Sequence, residues 1–194
     1  MSQTTEVSES LISLILSGGV ASTLIMLLLL LFLIITFYVG IERFLTYRSV
    51  LKELSRAESA MFNELLQRAT SVYNKTNSPE KTEKALEQMA GGYVFELERN
   101  TSILATFSGA APMLGFLGTV IGMILAFREM AVSSGQAEIA SLAGGIYTAM
   151  ITTVGGLIVG ILSYIAYNQL AVLLARITKR LEDLSNELLD SLER

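Results

Sequence analysis

The sequence predicts an all-α integral membrane protein with three transmembrane helices extended by cytoplasmic helices. Composition and the placement of charge carry that prediction. The 194-residue chain is 52% hydrophobic and only 16% charged, against about 25% charged in a typical soluble domain. No Asp, Glu, Lys or Arg stands between Glu9 and Glu42, between Arg99 and Arg128, or between Glu138 and Arg176. Each gap exceeds the roughly 20 residues that a helix needs to cross a bilayer. The composition also removes whole classes of chemistry. With no Cys and no His, disulfides, thiol catalysis, thiolate or imidazole metal sites and Ser-His-Asp triads are excluded. A net charge of −4 argues against nucleic-acid binding. No metal, no cofactor and no enzymatic role are expected.

In chain order, residues 1–19 form an N-terminal segment. Met1–Ser10 carries Glu6 and Glu9 but no basic residue, whereas a cleaved signal peptide has a basic start, so the first span is expected to be retained. Residues 20–41 make transmembrane helix 1, a Leu/Ile run with no polar residue deeper than Ser22, Thr23 and Thr36, lipid-facing over most of its circumference. Residues 42–100 read as a cytoplasmic helical hairpin, its arms parted by the turn-forming cluster 74–79. Asn77 with Glu80 resembles a capping box, Pro79 suits a first helical turn, and Gly91-Gly92 is expected to interrupt the second arm. Residues 101–127 make helix 2, 128–138 a short connection and 139–167 helix 3. The uncharged stretch from Ile139 to Ala175 has 37 residues, about 55 Å of helix. That exceeds a bilayer core of about 30 Å, so the helix projects into 168–194 as a cytoplasmic C-terminal helix. There Leu170, Leu174, Ile177, Leu181, Leu184 and Leu188 recur at 4-3-4-3-4 spacing, a seam that wants a helical partner. Packing on the 42–100 hairpin is the expected use, and binding another protein the alternative.

Orientation follows from the basic residues. Of the 14 Lys and Arg, nine lie in 42–100, four follow span three, and Arg128 alone lies between spans two and three. The positive-inside rule then places 42–100 and the C-terminus in the cytoplasm, with the N-terminus and the 128–138 connection outside. Tyr38, Tyr47, Tyr164 and Tyr167 fall near the cytoplasmic boundary, where interfacial tyrosine is favoured.

Function is read from the faces of spans two and three. Ser108, Ala111, Gly115, Gly118, Thr119, Gly122 and Ala126 fall within an arc of roughly 100°. Span three repeats the pattern with Ser141, Gly144, Gly145, Thr148, Ala149, Thr152, Gly155, Gly156, Gly160 and Ser163, and Thr153 sits at the edge. Small residues let helices approach closely, as in the pair Gly156 and Gly160, and plain packing accounts for such faces. The mid-span hydroxyls of Thr119, Thr148, Thr152 and Thr153 suggest more. Matched faces on copies arranged in a ring would enclose a narrow, weakly polar bore. No span holds an ionisable residue, and a membrane proton relay normally uses Asp, Glu or His. The chain alone therefore lacks a titrating group. Its hydroxyls would instead donate hydrogen bonds to a carboxylate supplied by another polypeptide.

The run Gly109-Ala-Ala-Pro-Met-Leu-Gly-Phe-Leu-Gly-Thr-Val-Ile-Gly-Met-Ile-Leu-Ala-Phe127, followed by Ala143-Gly-Gly-Ile-Tyr-Thr-Ala-Met-Ile-Thr-Thr-Val-Gly-Gly-Leu-Ile-Val-Gly160, resembles the MotA/TolQ/ExbB proton-channel family. The three-span layout is similar to its ExbB/TolQ branch, since MotA proteins have four spans and a larger cytoplasmic domain. Glu42-Arg43-Phe44 is similar to the family's Glu-Arg pair and would anchor the cytoplasmic end of span one. The resemblance implies a homopentamer around two single-span helices of an ExbD- or TolR-like partner whose Asp carries the proton. Force would then pass to a TonB- or TolA-like protein. It also implies that Thr119 and Thr153 face that Asp. The family often carries Glu where this chain has Thr148, so a gating or relay role for that Glu does not carry over. Pro112 matches the family pattern and would kink span two by removing a helical hydrogen bond. The competing readings are a passive membrane scaffold and a flagellar-type, MotA-like ion stator, against which the absent fourth span speaks.

Overall fold

In lipid there is little hydrophobic drive between helices, and they associate where small residues let their backbones approach. This chain follows that rule in a computed structural model that describes residues 19–55, 60–132 and 139–192. These residues form five helices: α1 (Gly19–Leu54), α2 (Ala60–Thr76), α3 (Pro79–Glu98), α4 (Ser102–Val132) and α5 (Ile139–Leu192). No strand occurs among the described residues. Three helical stretches, built on α1, α4 and α5, are long and apolar enough to cross a membrane, so the all-α, three-span expectation holds. Residues 1–18, most of the 128–138 connection and the side chain of Ser141 lie outside what is described. By internal contacts the chain divides into two units, Met1–Phe37 with Leu104–Ile165 and Tyr38–Ile103 with Ala166–Arg194.

The first unit holds the apolar parts of α1, α4 and α5, sorted by residue size. Leu27 and Ile34 of α1, Met113 and Phe116 of α4, and Met150 and Ile161 of α5 point outward. Ala111, Gly115, Gly118, Gly122 and Ala126 of α4 are buried. α1 joins through Ile25 and Leu29, which meet Ala111 and Val159, and through Phe32 stacked on Phe107 with ring centroids 4.0 Å apart. Thr36 is satisfied inside the unit, its hydroxyl 2.8 Å from that of Ser163.

The second unit is built on a different chemistry, a water-type core of large aliphatics. Leu65 and Ala69 of α2 and Leu86 of α3 are buried. So are Leu170, Ile177, Leu181, Leu184 and Leu188 of α5, with Leu174 half-buried, so the 4-3-4-3-4 stripe is covered within its own chain. The α2–α3 joint differs from the expected capping box. Asn77 adopts a left-handed backbone, φ 46°, and its N–H donates to the Tyr73 carbonyl at 2.8 Å, closing the end of α2. Ser78 is the residue preceding α3, without a side-chain cap bond, and Pro79 opens the helix. Glu80 pairs with Lys84 at 3.3 Å instead. Asn is one of the few residues that tolerate the left-handed region, and that use outcompetes capping. Gly91-Gly92 does not interrupt α3, which runs unbroken to Glu98. The cost of roughly 1 kcal/mol per glycine is too small to break a packed helix. α1 runs on past Ile41 to Leu54.

Tyr47 is not an interfacial tyrosine. It is 0% exposed. Its hydroxyl donates to the Leu97 carbonyl at 2.9 Å and lies 2.8 Å from the Thr101 hydroxyl. A phenol has one proton, so with Leu97 taking it, Thr101 donates to Tyr47. This pins the turn in which Thr101 N–H bonds the Glu98 carbonyl at 2.8 Å, between α3 and α4. Tyr93 makes the corresponding tie in the hairpin, donating to the Glu64 carboxylate. That bond, helped by burial and the Glu64 charge, holds the phenol neutral and pushes its pKa from 10.0 up to about 12. Because the folded pKa is raised, the tie contributes fully below pH 10 and is lost as pH rises from 10 to about 12. Tyrosinate absorbance should therefore lose a late-titrating phenol in Tyr93→Phe. The wild type should also lose its stability margin over Tyr93→Phe within that pH window.

Candidate functional site

The small and hydroxyl residues singled out on spans two and three fall in the first unit, where α4 and α5 approach with almost no side chain between them. A Cβ added at Gly156 would stand 2.5 Å from the Ala111 carbonyl oxygen and 2.8 Å from the Gly115 Cα. One added at Gly115 would stand 2.7 Å from the Thr152 carbonyl oxygen. Gly118 admits the Thr152 side chain, Gly122 admits the Ala149 methyl, and a Cβ added at Gly160 would stand 2.6 Å from the Pro112 ring. Pro112 thus acts as a packing surface, and α4 runs through it as one helix. Its missing N–H leaves the Ser108 carbonyl without an i+4 donor, and that oxygen also faces Gly160. Gly144 is different, with nothing within 4 Å of an added Cβ.

The four threonines divide into two pairs. Thr152 and Thr148 are buried, at 1% and 7% exposure. Thr148 donates to the Gly144 carbonyl of its own helix at 2.9 Å. The single Thr152 hydroxyl proton is shared between the Ala149 carbonyl at 2.7 Å and, across the seam, the Gly115 carbonyl at 3.0 Å. Thr119 and Thr153 lie at the rim of the seam, half-buried, with their hydroxyls hydrogen-bonded to each other. Thr119 also donates to the Ala149 carbonyl at 2.9 Å and Thr153 to the Gly115 carbonyl at 3.2 Å.

Counting protons shows what this rim can do. Two hydroxyls hold two protons, yet four contacts compete for them, since Thr119 also lies 3.4 Å from the Gly115 carbonyl. Either Thr119 donates to Ala149 and receives from Thr153, or Thr153 donates to Gly115 and receives from Thr119. Both carbonyls are covered in either case. Each accepts the main-chain N–H four residues on, and each is within reach of Thr152. One rim proton can therefore turn outward without orphaning a buried acceptor. Such a rim can donate to an anionic group placed beside it, while having no group of its own to ionise. Among the described residues no cluster of three or more Asp, Glu, His or Cys could hold a metal.

Glu42 and Arg43 lie elsewhere, in the second unit. Arg43 Nε is 3.5 Å from Glu42 Oε2, with the Arg43 side chain 14% exposed and that of Glu42 41%. The sequence reading did not foresee the two backbone carbonyls that anchor the rim, nor the pairing of Thr36 with Ser163. The only advance sign of the pairing was a hydroxyl at Thr36 in an otherwise apolar stretch and another at Ser163 on the small-residue face of span three.

A profile of the MotA/TolQ/ExbB proton channel family matches residues 53–183. The chain belongs to this family. Its relatives place it in the ExbB/TolQ branch of the MotA/TolQ/ExbB family. It is 36% identical over 98 residues to an ExbB-like biopolymer transport protein of Synechocystis, 50% of this chain and 39% of that protein. It is 32% identical over 128 residues to the biopolymer transport protein ExbB of Neisseria gonorrhoeae, 60% of this chain and 58% of that one. It is 40% identical over 74 residues to the Tol-Pal system protein TolQ of Pseudomonas aeruginosa, 38% of this chain and 32% of that one. The matches thus span less than two thirds of each relative's length. The MotA/TolQ/ExbB family is one of channels rather than enzymes. With three apolar helices, this member is a multi-pass membrane protein.

Proposed function

We propose that this chain is the proton-channel and motor subunit of an ExbB/TolQ-like inner-membrane complex that turns the proton motive force into mechanical work. In this reading the chain forms a homopentamer, its N-terminus periplasmic and its C-terminus cytoplasmic. The ring surrounds an ExbD- or TolR-like single-span partner that supplies a transmembrane Asp. Work passes to a TonB- or TolA-like protein. One observation carries the proposal: the paired Thr119 and Thr153 hydroxyls stand at the rim of the seam on the Gly115 and Ala149 carbonyls, at mid-span, where this chain has no ionisable group. An ionised carboxylate at that depth costs at least a few kcal/mol, and a hydroxyl that donates to it offsets part of the cost. Each proton carried across 100 mV releases roughly 2.3 kcal/mol, which repeated steps convert into movement. Thr148 and Thr152, buried beneath the rim, hold its geometry rather than meet the guest.

The Thr119→Val/Thr153→Val double variant tests this reading. Valine nearly keeps the shape and removes both hydroxyls. The assembled complex should be recovered in normal yield, while proton-driven work falls at least tenfold, about 1.4 kcal/mol or more of lost stabilisation. The close Gly115–Gly156 approach favours a second reading, a passive scaffold in which the same seam serves packing alone. Full activity of the double variant would decide for the scaffold.

A further inference from the structure

The second unit carries two surfaces that proton handling does not use. The first is a groove of about 420 Å³ between α3 and α5, with Val94, Leu181 and Leu189 among its apolar lining and Glu83, Glu87 and Glu182 among its polar lining. It is continued by a smaller cavity that reaches Pro79 and Asp190. From Val94 back to Pro79 is about 22 Å along the helix, four turns. Among the described residues no Lys or Arg lines either cavity, and Glu83, Glu87 and Glu182 join none of the ion pairs found there. The second surface is on α1. Tyr38, Ile41, Leu45, Arg48 and Lys52 are all exposed and recur at 3-4-3-4 spacing, within an arc of about 80°. The stripe begins apolar and ends basic, and the Arg48 guanidinium sits 4.3 Å over the Phe44 ring.

We propose that the α1 stripe of one copy seats in the α3–α5 groove of the next, with Arg48 and Lys52 against Glu83, Glu87 and Glu182. This deepens the ring reading above and rests on it. Charge complementarity is the first argument: an acidic rim over apolar lining faces a basic, partly apolar ridge. Height is the second. Copies inserted in one bilayer share its plane, so only groups at similar distances from their span ends can meet. Lys52 lies about 16 Å of helix beyond Ile41, Glu87 about 21 Å before Thr101, and Glu182 about 22 Å beyond Tyr167, differences that a lysine side chain bridges. The third is symmetry. Groove and stripe are different surfaces, so their union is head-to-tail, the kind of contact that closes into rings.

The chain has no cysteine, so engineered thiols are the sole cross-linking points. Two differently tagged full-length chains are co-expressed with their membrane partners, one carrying Lys52→Cys and the other Glu87→Cys, and treated with a short bifunctional maleimide. The expected result is a cross-linked heterodimer carrying both tags. In the uncross-linked complex, Lys52→Glu or Glu87→Lys alone should weaken assembly several-fold, and the two reversals together should restore it. A ring of normal copy number by native mass spectrometry with no two-tag product overturns the groove contact and leaves the ring reading standing. So does cross-linking of Glu87→Cys only to a foreign polypeptide. Absence of any oligomer in the unmodified protein overturns both.

Discussion

Gly156→Ala is expected to destabilise the protein by about 1–3 kcal/mol, the usual cost of forcing a methyl into a filled seam, whereas Gly155→Ala, one residue away, should be neutral or slightly stabilising. At Gly156 the new methyl meets main chain, the Ala111 carbonyl oxygen and the Gly115 Cα, which move only if α4 and α5 separate. At Gly155 it meets the end of the Met26 side chain at 3.4 Å, an ordinary contact with a flexible group. Removing a helical glycine there recovers up to about 1 kcal/mol of helix propensity. Unfolding midpoints of the two variants in the same detergent check the contrast. Equal midpoints would mean that α4 and α5 do not meet at Gly115 and Gly156. A gentler seam would also tolerate valine at Gly156, which should instead abolish recovery of folded protein.

Tyr47→Ala should cost about 3–5 kcal/mol, the range for deleting a buried aromatic, with Tyr47→Phe costing only about 1 kcal/mol. The difference separates ring from hydroxyl. The ring fills the second unit's core, while the hydroxyl joins the Leu97 carbonyl to the Thr101 hydroxyl. Thr101→Val should cost about as much as Tyr47→Phe, and the double variant less than the sum, because both changes break one bond. Strict additivity in that cycle would show that Tyr47 and Thr101 do not interact.

Elements governed by composition were legible in advance, and those governed by pairing were not. The three apolar helices follow from charge gaps that no soluble fold needs, and the two small-residue faces follow from helical spacing. Spacing cannot say which member of a face lands on the partner's backbone. Gly155 and Gly156 read alike in the sequence, yet one meets a mobile thioether and the other main chain. Likewise Thr148, Thr152, Thr119 and Thr153 look equivalent until α4 and α5 are paired, when two sink into the seam and two stay at its rim. Tyr47 misled for a related reason: boundary tyrosines are usually interfacial, but carbonyl and hydroxyl partners from the 97–101 turn were invisible before folding. At Asn77 two local preferences competed, capping α3 or closing α2, and the left-handed backbone decided.

Voltage does work only on charge that it can displace. The membrane-crossing stretches of this chain contain none, and the rim hydroxyls merely reorient. In the proposed ring, this subunit by itself should therefore relay no protons through its own side chains, because none in its spans can bind and release one. In the proposed complex, substitutions that change which ion is used, or how steeply output follows voltage, should accordingly map to the partner that supplies the carboxylate.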